Sequence, residues 1–576
     1  MMGRQGRASA ALTPLLVGAA LLLAGCADPD DGGVSLEGRT LENRLAYIPP
    51  QCYTIAKVAA LRHNPCYVCH AEAPEPNPNG QPELQQEYAF PQLQAGRVPR
   101  NPWTNLFKDR RAEVAAIADA DMARYVAEDN YHGANGTLRL TERLAQLPAR
   151  WDADGNGRWD GYRPDAWLNF DAQGWDHAPD GTPTGWRSFV YHPFPGAFMP
   201  TNGSFDDVAI RLPAAFRRDA QGRESLAVYT VNLAIVESLI TRQDVPIDPV
   251  DERALGTDLD GDGHLGMADH IAYIWPAEPQ RRMRYAGQAG AQQAAGQVHL
   301  AAGLYPEGTE FLHSVRYLAV GNDGTVSASP RMKELRYARK DGWRTYSQLR
   351  HTASIEGKEQ ALKPENPEVF PGNAERGLSN RQGWVYQGFI EDRRGQLRPQ
   401  SFEETVYCMG CHSGISATED GSFAFARKLR TGAAHGWLAW SDMVHQPPVP
   451  DPLRTDGQPE YASYLRANHA GDEFRENLEL LTKYFGPDGR EKPEAFARLA
   501  TDVSSMTLPS PQRAMALNKA YWLLVREQSF KAGRSPVVAP ATNVYQEVPQ
   551  DATTGVEEPL PAPRLAAARD VAYPAH

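Results

Sequence analysis

The sequence predicts a mixed, α+β fold, with helical regions near both ends of the chain and a large, irregular, loop-rich centre. Apolar residues recur at helical spacing over residues 110–126, 473–485 and 511–527, a pattern typical of amphipathic helices. The middle of the chain is rich in Gly, Pro, Trp and Tyr, and its apolar runs at 226–231 and 311–318 are short and strand-like. We therefore expect the long helices outside the centre and loops with short strands inside it.

The chain has 576 residues, and a length of this order indicates about two to four domains. Composition divides it into an export signal (1–25), a flexible tether (26–45), a first helical region (46–135), a central loop-rich domain (136–400), a second helical region (401–534) and a tail (535–576). The tail is predicted to be disordered because it is rich in Pro, Ala and Val without a period.

The N-terminus has the pattern of a bacterial export signal. Arg4 and Arg7 precede an apolar run over residues 10–23, which is too short and too rich in Ala and Gly to favour a spanning helix. The run ends in Leu-Ala-Gly-Cys at residues 23–26, which resembles the lipobox of bacterial lipoproteins. The pattern predicts cleavage before Cys26 and acylation of this residue, which anchors the protein to a membrane. An ordinary signal peptide with a chance cysteine is the alternative.

Location and charge point to the cell envelope and to protein partners. Ala27 follows the acylated residue, whereas Asp at this position favours inner-membrane retention in Gram-negative lipoproteins, so we expect the outer membrane, on its periplasmic or its surface face. The formal charge is −12, and loss of Arg4 and Arg7 with the signal changes it to −14. This acidity argues against nucleic acid and favours basic or neutral redox partners.

Two pentapeptides carry the most specific chemistry in the chain. Each has the form Cys-x-x-Cys-His, one at residues 66–70 and one at 408–412. This spacing is that of a c-type haem attachment site, in which both cysteines bond the porphyrin and the histidine ligates its iron. The sequence therefore predicts two covalently bound haem c groups, on Cys66, Cys69 and His70 and on Cys408, Cys411 and His412. A redox-active cysteine pair or a zinc site is the weaker alternative, since no other cysteine is placed to complete a four-cysteine site.

Five of the six cysteines have an assigned role, and one does not. Of the six cysteines, Cys26 is assigned to acylation and four are assigned to haem, which leaves Cys52 alone. An intramolecular disulfide is therefore excluded in the holo-protein. We expect Cys52 to be a buried thiol, with haem ligation as the alternative.

The second axial ligand decides whether a haem only carries electrons or also binds a small molecule. His313 lies in an apolar strand-like run, with Arg316 close enough in sequence to reach a haem propionate. Met332 is flanked by two cationic residues, and Met506 precedes the last helix, 94 residues after His412 (506 − 412). The remaining candidates are His63, His132 and His435. For each candidate, an ordinary core or surface side chain is the alternative.

An acidic loop in the centre resembles the calcium loops of EF-hands and, more closely, of dockerins. Its oxygen donors would be Asp258, Asp260, Asp262, the backbone of His264 and Asp269, at positions 1, 3, 5, 7 and 12. A second loop begins similarly with Asp152, Asp154 and Asn156, but Arg163 occupies its twelfth position, so its closing carboxylate must come from elsewhere, with Asp160 and Asp165 as the candidates. An acidic surface turn is the alternative for both loops.

Together, the motifs and the N-terminus resemble a di-haem c-type cytochrome lipoprotein. The resemblance implies cytochrome c-like helical folds around each motif, electron transfer at the bacterial envelope, and redox proteins as donor and acceptor. The alternative is a di-haem peroxidase-like oxidoreductase, in which one haem is catalytic and the other relays electrons.

The spacing of the two motifs departs from that alternative family. Bacterial di-haem cytochrome c peroxidases carry their motifs on adjacent small domains, whereas here His70 and His412 are 342 residues apart (412 − 70). No peroxidase residues are therefore transferred to this chain. The long insertion would instead bring the two haems together from opposite ends of the chain.

Overall fold

The computed structural model describes residues 34–36, 42–58, 61–73, 76, 82–91, 100–197, 199–277, 281–415, 418–430, 435–445, 448–468, 471–472, 475–549 and 551–560. Cys26 and the predicted export signal lie outside these residues. Within the described part, no helix combines the length and the apolar composition needed to cross a bilayer.

The strands are β1 (Ala56–Val58), β2 (Leu61–His63), β3 (Glu87–Tyr88), β4 (Trp175–His177), β5 (Pro183–Phe189), β6 (Phe205–Arg211), β7 (Val245–Asp251), β8 (Met267–Ile271), β9 (Glu310–Val320), β10 (Val326–Lys340), β11 (Gly372–Asn373), β12 (Gly377–Ser379), β13 (Trp384–Glu391), β14 (Leu397–Pro399), β15 (Gly471–Asp472), β16 (Arg475–Glu476) and β17 (Ala552–Thr553).

The helices are α1 (Arg111–Ala116), α2 (Asp119–Ala127), α3 (Arg139–Ala145), α4 (Leu226–Thr241), α5 (Glu252–Leu255), α6 (Gly287–Ala294), α7 (Tyr346–Leu362), α8 (Phe402–Val406), α9 (Met409–His412), α10 (Glu460–Asn468), α11 (Leu478–Tyr484), α12 (Pro493–Thr501), α13 (Ser504–Thr507) and α14 (Pro511–Glu527). Short 3₁₀ turns join several of these elements, and one of them, Cys66–Val68, contains the first motif.

A nine-stranded antiparallel sheet dominates the described residues, in the order β11–β12–β13–β10–β9–β6–β5–β4, with β14 also paired to β13. Side chains alternate between the two faces of each strand. On one face Leu312 and Leu335 pack in a cluster with Trp186. On the other face Phe311 packs against Trp384. The sheet is therefore buried on both faces at its centre.

The predicted fold class, with cytochrome c-like helical regions around an irregular centre, is wrong. The centre is the large antiparallel sheet, and neither motif lies in a helical module of its own. The first motif is a single turn after β2, and the second lies at α9, next to α8, which contacts β12 and β13. Local periodicity does not reveal this sheet, because long Gly- and Pro-containing loops separate strands that pair across the chain.

The prediction of a strand at 226–231 is also wrong, because these residues begin helix α4. The side chain of Ser225 caps the helix by accepting from the N–H of Val228, and Arg242 ends it in a left-handed conformation, with φ of 53°. Almost every residue of α4 from Val228 to Ile240 is buried. A helix that is buried on all sides is apolar all round, so it lacks the amphipathic pattern that would have identified it.

Other predicted elements are confirmed. The run at 311–318 lies in β9, and the helix at 511–527 is α14, with Pro511 in its first turn and the side chain of Ser510 as its N-cap. The helix predicted over 110–126 is two helices, α1 and α2, because Ile117 and Ala118 adopt extended conformations between them.

The predicted disorder of the tail is wrong for residues 535–549 and 551–560. Val537, Val544 and Val548 are buried in the main core cluster, and β17 pairs with β3. The N–H of Ile55 also donates to the carbonyl of Asn543 at 2.6 Å. The segment is ordered by pairing with distant backbone, which composition does not indicate. Residues 561–576 lie outside the described part of the chain.

Candidate cofactor site

Both Cys-x-x-Cys-His motifs line a single cavity of about 1510 Å³. Its lining includes all six motif residues, Cys66, Cys69, His70, Cys408, Cys411 and His412. Ordinary ligand pockets measure about 300–1,000 Å³, so this space is unusually large. The fold thus brings together two motifs that are 342 residues apart in sequence (412 − 70).

The two motifs have the same backbone arrangement. In the first, the carbonyl of Cys66 accepts hydrogen bonds from the N–H groups of Cys69 (3.0 Å) and His70 (2.8 Å). In the second, the carbonyl of Cys408 accepts from Cys411 (3.2 Å) and His412 (3.0 Å). One helical turn places residues three and four apart on the same side. Each motif therefore presents its two thiols and its imidazole towards one region of the cavity.

The residues between the cysteines anchor each motif in the protein. Tyr67 is buried, and its hydroxyl accepts from the amide of Asn468 at 2.6 Å. Met409 is fully buried, and a Cβ atom on Gly410 would stand 2.1 Å from the carbonyl oxygen of Tyr47. The second motif is thus packed directly against the segment that precedes the first one.

The His412 ring is oriented for ligation through Nε2. Its Nδ1 lies 2.9 Å from the carbonyl oxygen of Gly421, and because a carbonyl only accepts, Nδ1 carries the proton. Metal-ligating histidines are commonly oriented by such a bond. The rings of Tyr386 and Phe423 flank the imidazole at 5.1 and 5.3 Å. Burial, with a smaller contribution from the charge of Arg336, lowers the pKa of His412 to about 4.

The His70 ring has a similar environment without the orienting bond. Its Nδ1 is buried and has no hydrogen-bond partner among the described residues. The amide of Gln85 donates to the carbonyl of His70 at 2.6 Å and fixes its backbone. Burial lowers the pKa of His70 to about 4. Both motif imidazoles are therefore neutral at neutral pH, which is the form that binds metal.

The sheet forms one wall of the cavity, and His313 lies on it. In the strand register, His313 is opposite Val208 on β6 and Arg336 on β10, and all three line the cavity. His313 Nε2 lies 3.0 Å from Oδ2 of buried Asp206, without the geometry of a hydrogen bond. Arg316, three residues further along β9, pairs instead with Asp207 at 3.3 Å.

A cluster of buried charges lies near the second motif. Arg336 and Arg534 both contact the carboxylate of Glu334, at 2.9 and 2.8 Å. Although burial alone would raise it, these two cations lower the pKa of Glu334 to about 2. Arg534 keeps two buried nitrogens, Nε and Nη2, that have no hydrogen-bond partner among the described residues. Arg534 therefore has free donors for a carboxylate.

This donor set fits c-type haem. Two thiol pairs, two imidazoles free at Nε2 and an arginine with unused donors line a space larger than an ordinary pocket. Tetrahedral zinc would need a fourth ligand beside the two cysteines and the histidine of each motif, and it would need no such volume. Cys52 also lines the cavity, and burial raises its pKa to about 12, so it is a protonated thiol at neutral pH.

The other candidate axial ligands do not line the cavity. Met332 is buried on the opposite face of the sheet, and Met506 is buried in the cluster around Tyr461 and Leu465. His132 contacts Asp129 and the carbonyl of Trp167, and His435 lies near Asp248, 4.0 Å away. The side chain of His63 lies outside the described residues.

The sequence reasoning missed three cavity residues: His192, Arg336 and Arg534. Period-two alternation places Arg336 on the same face of β10 as Glu334, but only the strand register shows that this face meets His313. His192 lies in a loop-like segment without a periodic pattern, and Arg534 is the last residue of the second predicted helical region, directly before the predicted tail.

The predicted calcium loop at Asp258 forms a tight turn. Asp258 accepts hydrogen bonds from the N–H groups of Gly261 (2.7 Å) and Gly263 (3.1 Å). Both glycines have positive φ, 70° and 86°, which favours glycine. Asp262 accepts from the N–H of His264 at 2.7 Å.

Glu252, and not the predicted Asp269, provides the third carboxylate of this loop. Donor atoms of Glu252, Asp258 and Asp260 lie within 4.8 Å of one another. Asp269 lies in β8, is exposed, pairs with His270 at 2.9 Å and is not part of this group of carboxylates. Glu252 is fully buried and also accepts from the N–H of Gly266 at 2.8 Å.

The second loop has the same arrangement, with Glu375 in the equivalent place. Donor atoms of Asp152, Asp154 and Glu375 lie within 4.8 Å of one another. Glu375 is fully buried and accepts from the N–H groups of Ala153 (3.0 Å) and Asp160 (2.6 Å). The third carboxylate of this group is therefore neither of the two candidates, Asp160 and Asp165, but Glu375, 215 residues beyond Asp160.

Comparison with known proteins identifies the family. Residues 37–498 match a family described as "-like lipoprotein". A protein of Aquifex aeolicus (strain VF5) named "Uncharacterized lipoprotein" is 30% identical over 570 residues, which cover 89% of this chain and 90% of that protein. No solved structure matches the chain.

These comparisons correct the predicted family. The chain belongs to this family of lipoproteins, so the lipoprotein part of the prediction is confirmed. The assignment to di-haem c-type cytochrome lipoproteins is wrong, because the family and the relative are described as lipoproteins and not as cytochromes.

Proposed function

We propose that this member of the lipoprotein family transfers electrons at the bacterial envelope through two covalently bound haem c groups. The observation that carries the proposal is that both Cys-x-x-Cys-His motifs, from opposite ends of the chain, line one cavity. Two cofactors in one cavity lie close enough for an electron to pass between them. No atom transfer is needed: a reduced donor protein loses one electron, and an oxidised acceptor protein gains it.

The residues of the chain have separate roles in holding the groups. The cysteine pairs fix each porphyrin covalently, and His70 and His412 provide the axial nitrogens. Arg534, with its unused donors, and Arg336 are placed to bind a propionate near the second motif. The haem iron supplies one-electron redox chemistry when bound, and the protein tunes it through ligand identity and burial.

Intact mass tests the proposal directly. Protein matured in a host with cytochrome c biogenesis should carry two added haems. Replacing Cys66 and Cys69 by serine should remove one of them, and replacing Cys408 and Cys411 should remove the other. Full extraction of haem from the native protein by acid–acetone would contradict covalent attachment. The matched control is Cys52→Ser, which should keep both haems.

One observation favours a second candidate function, a peroxidase-like oxidoreductase. His313 lines the cavity, and its Nε2 lies 3.0 Å from Oδ2 of buried Asp206. An imidazole paired with a carboxylate is suited to moving a proton in the cavity. Turnover of peroxide with a reduced cytochrome as donor, abolished in His412→Ala and lowered in His313→Ala, would support this function. A protein with two low-spin haems that turns over no peroxide would favour simple electron transfer.

We also propose that the Asp258 loop binds calcium, through Asp258, Asp260, Asp262, the His264 carbonyl and Glu252. Three carboxylates within 4.8 Å of one another repel unless a cation lies between them. The site would stabilise a region with few regular elements. Isothermal titration of calcium into chelator-treated protein tests this, with Glu252→Gln expected to lose the binding and Asp269→Asn, outside the cluster, expected to keep it.

The lipid anchor at Cys26 and the outer membrane complete the proposal. The family is one of lipoproteins, and Ala27 follows the acylated cysteine. Separation of inner and outer membranes on a density gradient tests the location, with Ala27→Asp expected to move the protein towards the inner membrane.

A further inference from the structure

We propose that His192 is the second axial ligand of one of the two haems. This inference rests on the proposed function and deepens it, because it assigns a protein ligand to the open side of a cofactor. His192 lies in the segment between β5 and β6 and lines the same cavity as both motifs.

Four histidines are found among the described residues that line the cavity. Two of them, His70 and His412, belong to the attachment motifs. His313 lies beside the carboxylate of Asp206. His192 is the remaining one, and no carboxylate lies among the groups that influence its ionisation. If each cofactor binds the histidine of one motif, two further histidines remain in the same cavity as possible ligands.

The backbone of His192 is held from both sides. Its N–H donates to the carbonyl of Arg427 at 2.8 Å, and its own carbonyl accepts from Arg427 Nε at 3.0 Å. Arg427 is buried and paired with Glu460 through two contacts of 3.1 Å. The preceding residue, Tyr191, forms an antiparallel β-bridge with Lys428. These contacts fix the backbone from which the His192 side chain extends, and a fixed backbone helps to position a ligand.

The His192 ring leaves one nitrogen for a ligand. Nδ1 is buried and has no hydrogen-bond partner among the described residues, and the residue lines the cavity. Buried polar atoms are normally paired, which disfavours a purely structural role for this side chain.

One competing ligand lies nearby. Met199 is the one methionine among the described residues that line the cavity, and methionine is a common axial ligand of c-type haem. Its thioether is on a flexible side chain, whereas the His192 backbone is fixed. A ligand assignment therefore has to distinguish these two residues experimentally.

Low-temperature EPR and haem quantification of the matured protein distinguish them. Wild type should show two low-spin haems. His192→Ala should keep both covalent haems but lose half of the low-spin intensity to a high-spin signal, and added imidazole should restore it. Met199→Leu should keep both low-spin signals. The matched control is His299→Ala, because His299 is exposed, stacks on Trp343 at 4.8 Å and does not line the cavity.

The outcomes separate this inference from the function on which it rests. Wild type without covalent haem would reject both. Two haems with unchanged low-spin signals in His192→Ala, or a loss of low-spin signal in Met199→Leu instead, would overturn the assignment of His192 alone. If His192→Ala does not fold, His192→Met replaces it. This variant should keep six-coordination but acquire a methionine–iron charge-transfer band and a higher midpoint potential, and an unchanged spectrum and potential would overturn the assignment.

Discussion

Replacement of Gly410 by alanine would test how the second motif is held. A Cβ atom at this position would stand 2.1 Å from the carbonyl oxygen of Tyr47 and 2.8 Å from Cδ of Pro49. Helix propensity favours alanine over glycine by about 1 kcal/mol, whereas overpacking typically costs about 1–3 kcal/mol. The nearest atom is backbone and cannot rotate aside. We therefore expect the steric cost to dominate and Gly410→Ala to lower the free energy of unfolding by about 1–2 kcal/mol.

Denaturant unfolding and intact mass measure this effect. Gly357, within α7, meets no atom within 4 Å of an added Cβ, so Gly357→Ala should stabilise the protein by up to about 1 kcal/mol. Gly410→Ala should also lower haem occupancy at Cys408 and Cys411 and leave the first motif occupied. A Gly410→Ala protein with wild-type stability and full occupancy would refute the argument that the segment around Tyr47 packs rigidly against the second motif.

Three further predictions follow from separate parts of the chain. Cys26→Ser should abolish acylation and release the protein from the membrane fraction; retention after a salt wash would show that the lipobox is misread. Asp260→Ala should remove the rise in melting temperature that calcium causes, and a melting temperature indifferent to calcium and chelator in wild type would contradict the calcium site. Hydrogen bonding from Arg110 lowers the pKa of Glu527 to about 2. The ion pair should contribute its full stabilisation above about pH 4.3, the pKa of a glutamate in the unfolded chain. This contribution should be lost as the pH falls towards 2 and the carboxylate of Glu527 is protonated in the folded state. Glu527→Gln should therefore flatten the acid side of a plot of melting temperature against pH, and an unchanged acid side would contradict the role of the pair.

The local geometry of the two Cys-x-x-Cys-His motifs could be predicted from sequence, because it depends on neighbouring residues alone. The cysteine and histidine positions in each motif are fixed by a single helical turn, and the structure shows the same carbonyl accepting two hydrogen bonds in both. The turn at Asp258 was equally local, since Asp and Gly at fixed offsets determine it. Helix α14 could be predicted from Pro511, which lies in its first turn, and from its apolar stripe.

The cavity could not be predicted, because it depends on strand register and on contacts between distant residues. Nothing in the sequence near Asp258 shows that Glu252, in the turn before it, faces the loop, or that Glu375 closes the second loop from 215 residues beyond Asp160. The position of His192 at the cavity could not be predicted for the same reason. Its position follows from backbone contacts with Arg427, 235 residues away, and an isolated histidine in an irregular segment has no periodic signal.

The long insertion between the two motifs supplies the wall on which the cavity depends. The strands β6, β9 and β10 carry Asp206, His313 and Arg336 into it. The opposite side is built from both ends of the chain, where β3 pairs with β17 and Ile55 bonds Asn543. Gly410, beside Tyr47, joins the second motif to this same N-terminal segment. The environment of each motif therefore includes residues contributed from the far end of the chain. Glu334 lies on the sheet and Arg534 lies in the C-terminal segment, and the two buried side chains form an ion pair of 2.8 Å. The insertion and the end of the chain therefore contribute to one buried cluster.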